Sequence, residues 1–198
     1  MLYIYEFAAH APLCVREETR SVLVLCESAD GALIDEFAKH SQPPNVTVFS
    51  SRAASFKAEN CDFKSGSIAA LVETEERLFD VAIDLRTVKP NRQECLELLG
   101  RLTENGIALK AFGALENEAL KAFGSCRYVI PFAFSSFLPL DRAVDGFIFA
   151  SKKFHPTADL RLQKADMLSN LRYYSVETHI ASFALPPFIY EKFDALKI

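Results

Sequence analysis

Short apolar runs alternate with longer segments in which apolar residues recur every three or four positions. SVLVLC (Ser21–Cys26), NVTVFSS (45–51) and FDVAIDL (79–85) read as buried strands, and CDFK (61–64) as a shorter one. A helix is predicted over 31–40 with Ala32, Leu33, Phe37 and Ala38 on one face. Pro43-Pro44 then ends it, because proline can neither continue a helix nor donate to one. SIAALVETEE (67–76) reads as a helix. Pro90-Asn91 opens another that carries Cys95, Leu96, Leu98, Leu99 and Leu102, with Asn105-Gly106 as its left-handed stop. GIALKAF is a fifth strand, LENEALKAF a helix, CRYVIPFAF (126–134) a sixth strand, and DGFIFAS (145–151) a seventh. The loop SSFLPLDRAV joins the last two.

Alternating β and α segments predict an α/β domain. Five βα units followed by a returning pair are the plan of the Rossmann-like, S-adenosylmethionine-dependent methyltransferase fold. That plan is a seven-stranded, mostly parallel sheet with an antiparallel edge hairpin. Composition alone does not separate it from other doubly wound folds. All 198 residues fit one domain, read as a leading helix (1–20), a sheet core (21–153) and a C-terminal segment (154–198).

Charge and cysteines narrow the function classes. A net charge of -4 without a cluster of Lys and Arg argues against nucleic acid. No apolar run approaches the roughly 18 residues of a membrane helix, and the N-terminus lacks the marks of a signal peptide. Five cysteines without a C-x-x-C pair read as reduced thiols in a cytoplasmic protein, and with four isolated histidines they predict no metal site.

Two separated motifs bear a resemblance. LRYYSVETHIASFALPPF (171–188) is similar to the closing pattern of the polyamine aminopropyltransferases, the spermidine synthase family: L-x-Y-Y-N, a His, then A-A-F-A-L-P. Tyr173, Tyr174, His179, Ala181, Phe183, Ala184, Leu185 and Pro186 match in order. Glu6, His10, Pro12 and Leu13 resemble the family's E-M-x-x-H-x-P-L helix, which precedes the first strand. Together the motifs bracket nearly the whole chain. Family members usually begin with a small β-domain, so the resemblance implies that this sequence lacks that domain.

The resemblance implies transfer of an aminopropyl group from decarboxylated S-adenosylmethionine, a co-substrate, to putrescine, with no further cofactor. An amine with a pKa about that of lysine, 10.4, must lose a proton before it attacks, and cationic substrates call for carboxylates. The family's acids largely fail to match. Its G-G-G-D-G turn falls on Glu27-Ser28-Ala29-Asp30-Gly31, its ribose-binding acid near Ser50, and its adenine-contacting acid near Ser65. The D-[SC]-[ST]-D-P segment falls on Leu85-Arg86-Thr87-Val88-Lys89, one place after Asp84. The P-T-Y-P loop falls on Pro131-Phe132-Ala133-Phe134, which has no hydroxyl. Arg86 and Lys89 put positive charge where a diamine and a sulfonium are expected.

Asp84, at the carboxyl end of a central strand, is therefore the catalytic candidate, set against a salt bridge to Arg86. Asp30, Gly31 and Tyr5 are the substrate-binding candidates, with Asp30 also readable as a helix cap. His10 and His179 read as packing or hydrogen-bonding residues, Tyr173 and Tyr174 as anchors of the C-terminal segment, and Glu73, Glu75 and Glu76 as a solvated face. Two functions stay open. One is an aminopropyltransferase with eroded motifs that takes a small amine and a nucleoside thioether. The other is a catalytically silent homologue, a binding or regulatory subunit that pairs with itself or with a related chain. A methyltransferase acting on another substrate is a weaker third.

Overall fold

Side chains alternate across β1 (Ser21–Cys26): Val22, Val24 and Cys26 face one side of a sheet, and Leu23 and Leu25 face the other. Both sides are buried, so the run reads as continuously apolar, as a central parallel strand must. In the computed structural model the described residues are 2–52, 57–66, 70–71, 77–86, 92–112, 132–137, 146–151, 153–184 and 187. Around β1 lie β2 (Asn45–Ser50), β3 (Cys61–Ser65), β4 (Phe79–Asp84), β5 (Leu102–Phe112), β6 (Phe132–Phe137) and β7 (Gly146–Ser151). They form one seven-stranded sheet in the order β3-β2-β1-β4-β5-β7-β6. β1 to β5 are parallel, and β7 runs antiparallel to both its neighbours, β5 and β6. The expected edge hairpin is thus a single reversed strand placed between two of like direction.

The described helices are α1 (Leu2–Cys14), α2 (Gly31–Ala38), α3 (Arg92–Gly100), α4 (Leu162–Asp166) and α5 (Val176–Phe183). On one face α1, α2 and Phe183 of α5 pack over Val22, Val24, Val81, Ile83 and Phe147; on the other, Cys95, Leu98 and Leu99 of α3 cover Leu23, Ala82 and Ala108. α1 is buried nearly all round, from Ile4 to Cys14, as an apolar helix held between other elements should be.

Four expectations need correction. The helix of Cys95 ends at Gly100, and Leu102 opens β5, so Asn105-Gly106 is not a helix stop. These residues lie in a bulge of β5, where Thr103 to Gly106 sit opposite Asp80 between the pairs Phe79–Leu102 and Val81–Ile107. No described glycine has positive φ. Gly106 is needed for closeness instead, since a Cβ there would lie 2.6 Å from Leu102 Cβ. Second, α2 ends at Ala38, and its inner face holds Leu33, Ile34, Glu36 and Phe37. Ala38 is exposed, while Glu36 turns inward to meet His10 and Lys39. Third, β6 is described over Phe132–Phe137, so it runs past the expected end at 134 and takes in the start of the expected loop. It pairs along its whole length with β7, which sets its position. Fourth, the leading helix stops at Cys14. Residues 126–131, the predicted helices over 67–76 and 115–123, Glu73, Glu75, Glu76 and Lys89 lie wholly or largely outside the described residues.

Candidate functional site

Strand order reverses between β1 and β4, and in open α/β sheets the crevice beyond the carboxyl ends at such a point receives ligands. Two acidic candidates belong to this end of the sheet: Asp84 at the end of β4, and Asp30 in the turn between β1 and α2. Asp84 ends β4, opposite Leu25 of β1 and Lys110 of β5, and is 2% exposed. Its carboxylate is clamped. Arg86 donates from Nε to Oδ1 at 2.9 Å, from Nη2 to Oδ2 at 2.8 Å, and from its backbone N–H to Oδ1 at 3.0 Å. Lys110 Nζ lies 3.3 Å from Oδ2 and also donates to the Arg86 carbonyl. Burial pulls the Lys110 ammonium below the usual lysine range, and Asp84 pushes it back up. For Arg86 burial works downward, but the bidentate bond to Asp84 prevails and holds it above its ordinary value. The salt bridge set against a catalytic Asp84 is therefore formed, with a second cation behind it.

Asp30 caps α2: Oδ1 accepts from the Ala32 N–H at 3.0 Å, and Gly31 is the helix's first residue. Tyr5 reaches the same carboxylate from α1. Burial, with Asp30 next and then a hydrogen bond to it, pushes the phenol up to about 12. Asp30, Gly31 and Tyr5 are thus brought together, with the acid engaged twice by the protein. Cys26, at the end of β1, stands between this group and Asp84. Burial raises its thiol to about 11, opposed by a bond to Ser50 and aided by Asp84. Ser50, where a ribose-binding acid was looked for, ties down the chain after β1: its hydroxyl donates to the Glu27 carbonyl at 3.2 Å and accepts from Arg52 N–H at 3.2 Å. Phe132 to Phe134 lie within β6.

The terminal motifs dock on each other. Glu6 accepts from the backbone N–H groups of Arg172, Tyr173 and Tyr174 at 2.8 to 3.1 Å. Burial alone would raise this acid, but the three donors hold it below the usual carboxylate range. Asn170, at φ 56, turns the chain just ahead of them. Tyr174 donates to His179 Nδ1 at 2.9 Å, which leaves Nε2–H of His179 to donate to the Pro156 carbonyl at 2.8 Å. His10 Nε2 lies 3.0 Å from Glu36 Oε2, and its Nδ1 lies 3.0 Å from His40 Nε2. Both motif histidines are fully buried, and burial lowers each to about 4, so both are neutral parts of the core. Lys110, Glu36 and His40 were not singled out from the sequence. The signal for Lys110 was a lone cation inside GIALKAF, and nothing marked the other two.

An open cleft of about 590 Å³ lies near the opposite end of β1, among Glu17, Glu18, Thr19, Arg161 and Lys164, away from these groups. Among the described residues, no group of three or more His, Cys, Asp or Glu is placed to hold a metal ion, and no helix is long and apolar enough to cross a membrane.

No model of a known protein family matches the chain. A polyamine aminopropyltransferase of Alkaliphilus metalliredigens is 22% identical over 223 aligned positions, covering 97% of this chain and 78% of that enzyme. The chain is a distant relative of the polyamine aminopropyltransferases. A Helicobacter pylori polyamine aminopropyltransferase is 46% identical over 48 residues, a stretch that spans 24% of this chain and only 18% of the relative. Among solved structures, spermidine synthase from Thermotoga maritima superposes with a TM-score of 0.83 at 21% identity, over 98% of this chain and 74% of that one. A spermidine synthase in complex with the transition-state analogue AdoDATO matches equally, and human methyltransferase-like protein 13 reaches a TM-score of 0.59. These likenesses establish an α/β sheet of the methyltransferase type, mostly parallel with one reversed strand, on an aminopropyltransferase-like scaffold.

Proposed function

We propose that this cytoplasmic protein acts in polyamine biosynthesis, transferring an aminopropyl group from decarboxylated S-adenosylmethionine to putrescine. The relationship to polyamine aminopropyltransferases over 97% of the chain carries this reading. In that reaction the amine gives up a proton and its nitrogen attacks the aminopropyl carbon on sulfur. The C–S bond breaks toward sulfur, which leaves neutral methylthioadenosine and spermidine. On this reading Asp84 receives the amine's proton, and Asp30, Gly31 and Tyr5, which lie together, contact the donor. No cofactor beyond the donor is needed.

One observation favours a second reading. Asp84 is already bound by Arg86 and faced by Lys110, so a proton would reach it only after the Arg86 clamp opens. On that reading the chain is a catalytically silent homologue that pairs with itself or with a related subunit. Incubation with both substrates separates the two. Methylthioadenosine and spermidine formed in equal amounts, and lost in Asp84→Asn, support the enzyme. No turnover, together with no rise in melting temperature at saturating methylthioadenosine, leaves the silent homologue.

A further inference from the structure

We propose that the crevice beside Asp84 selects a ligand that carries a carboxylate, on either the donor or the acceptor. The inference keeps from the reading above only that a nucleoside thioether and an amine occupy this crevice, and replaces one of the two substrates named there by its carboxylate-bearing counterpart. Among the described residues the groups at its floor do not balance: one carboxylate, Asp84, faces two cations, Arg86 and Lys110. Asp84 and Lys110 are buried and Arg86 is partly so. Glu94 acts on Arg86 only through the longer-range field. Arg86 spends Nε and Nη2 on Asp84, and among the described residues nothing accepts from Nη1. Its side chain is 18% exposed, so a charged donor edge remains open at the strand ends.

A diamine or a decarboxylated sulfonium brings only positive charge to this place, and like charge at short range in a buried site is unfavourable. A planar carboxylate fits the guanidinium edge and neutralises the excess. Lys110 strengthens the requirement, because it is fixed behind the clamp and cannot swing away to solvent. The arrangement therefore favours a ligand that keeps its acid group.

Two matched pairs of probes test this by calorimetry on the whole chain. S-adenosylhomocysteine is compared with methylthioadenosine for the donor. Ornithine, which is putrescine with a carboxylate, is compared with putrescine in the presence of methylthioadenosine for the acceptor. The expected result is at least tenfold tighter binding of the carboxylate-bearing member in one pair, and that pair names the source. Arg86→Gln should abolish the preference. Asp84→Asn, which releases the second edge of Arg86, should increase it. Arg86→Lys, which keeps the charge but loses the bidentate edge, should weaken it without abolishing it. A thermal melt of each variant separates lost preference from lost fold. Equal or tighter binding of methylthioadenosine and putrescine would overturn the inference while leaving the aminopropyl-transfer reading intact. No binding by any of the four would overturn both.

Discussion

Glu6 Oε2 accepts a hydrogen bond from the backbone N–H of Tyr174 at 2.9 Å, joining the first helix to a segment 168 residues further along the chain. Two more backbone donors, from Arg172 and Tyr173, converge on the same side chain. The two motifs that resemble the aminopropyltransferase pattern thus form one structural joint. Glu6→Ala leaves three backbone donors without their acceptor, of which that of Tyr174 is buried, and should cost about 2–3 kcal/mol, read as a drop in urea midpoint at pH 7. An unchanged midpoint would mean that the joint contributes nothing.

Acid should loosen the same region. Burial lowers His10 to about 4 and His40 to about 3, with Lys39 adding to the first, and His10 and Lys164 to the second. Glu6 and Glu36 also face this pair from α1 and α2, and Glu6 favours the charged form of His10. Folded values lie below the unfolded value of about 6.5. The stabilisation is therefore complete above that pH and is lost as pH falls through 4. It amounts to about 3 kcal/mol for His10 and about 5 for His40, the last part of the latter being lost only as pH falls through 3. His40 also leaves Nδ1 buried without a partner. Denaturation midpoints between pH 7 and pH 4 should fall steeply in the native chain and less steeply in His40→Leu.

Removing the clamp's only acid should be costly. Asp84→Ala leaves Arg86 and Lys110 uncompensated and should destabilise by about 3–5 kcal/mol. Adding Lys110→Met removes one of the stranded charges. The double variant should therefore recover much of the loss, as a double-mutant cycle followed by thermal melts would reveal.

Gly106→Ala tests the bulge of β5. The added methyl would meet Leu102 Cβ at 2.6 Å and the Thr103 carbonyl at 3.0 Å, both in the same tight turn. A loss of about 1–3 kcal/mol is expected. A neutral outcome would show that the bulge relaxes freely.

Much of the sheet was legible along the chain. Ser21–Cys26 coincides with its prediction, and β2, β3, β4 and β7 agree to within a residue. Buried parallel strands are short apolar runs bounded by turn residues, and that signal is local. The bulge was not legible: Asn105-Gly106 carries a turn signature, and only the pairing of β5 with β4 and β7 turns it into part of a strand. The extension of β6 to Phe137 was not foreseen, because pairing with β7 sets it and no local turn signal marks it. At the site, Asp84, Arg86, Asp30 and Tyr5 could be named from residue type and position, whereas Lys110 could not be joined to them.

By itself, then, the sequence determined the central strands and named Asp84, Arg86 and Asp30 at their carboxyl ends, because periodicity and residue identity are properties of neighbouring positions. Tertiary structure decided what those few acids do. Asp84 meets Lys110 only because β4 and β5 lie side by side in register, and Glu6 meets Tyr174 only because the two ends of the chain pack on one face. Charge pairing depends on distance in space, and chain position does not encode that distance until the sheet has formed.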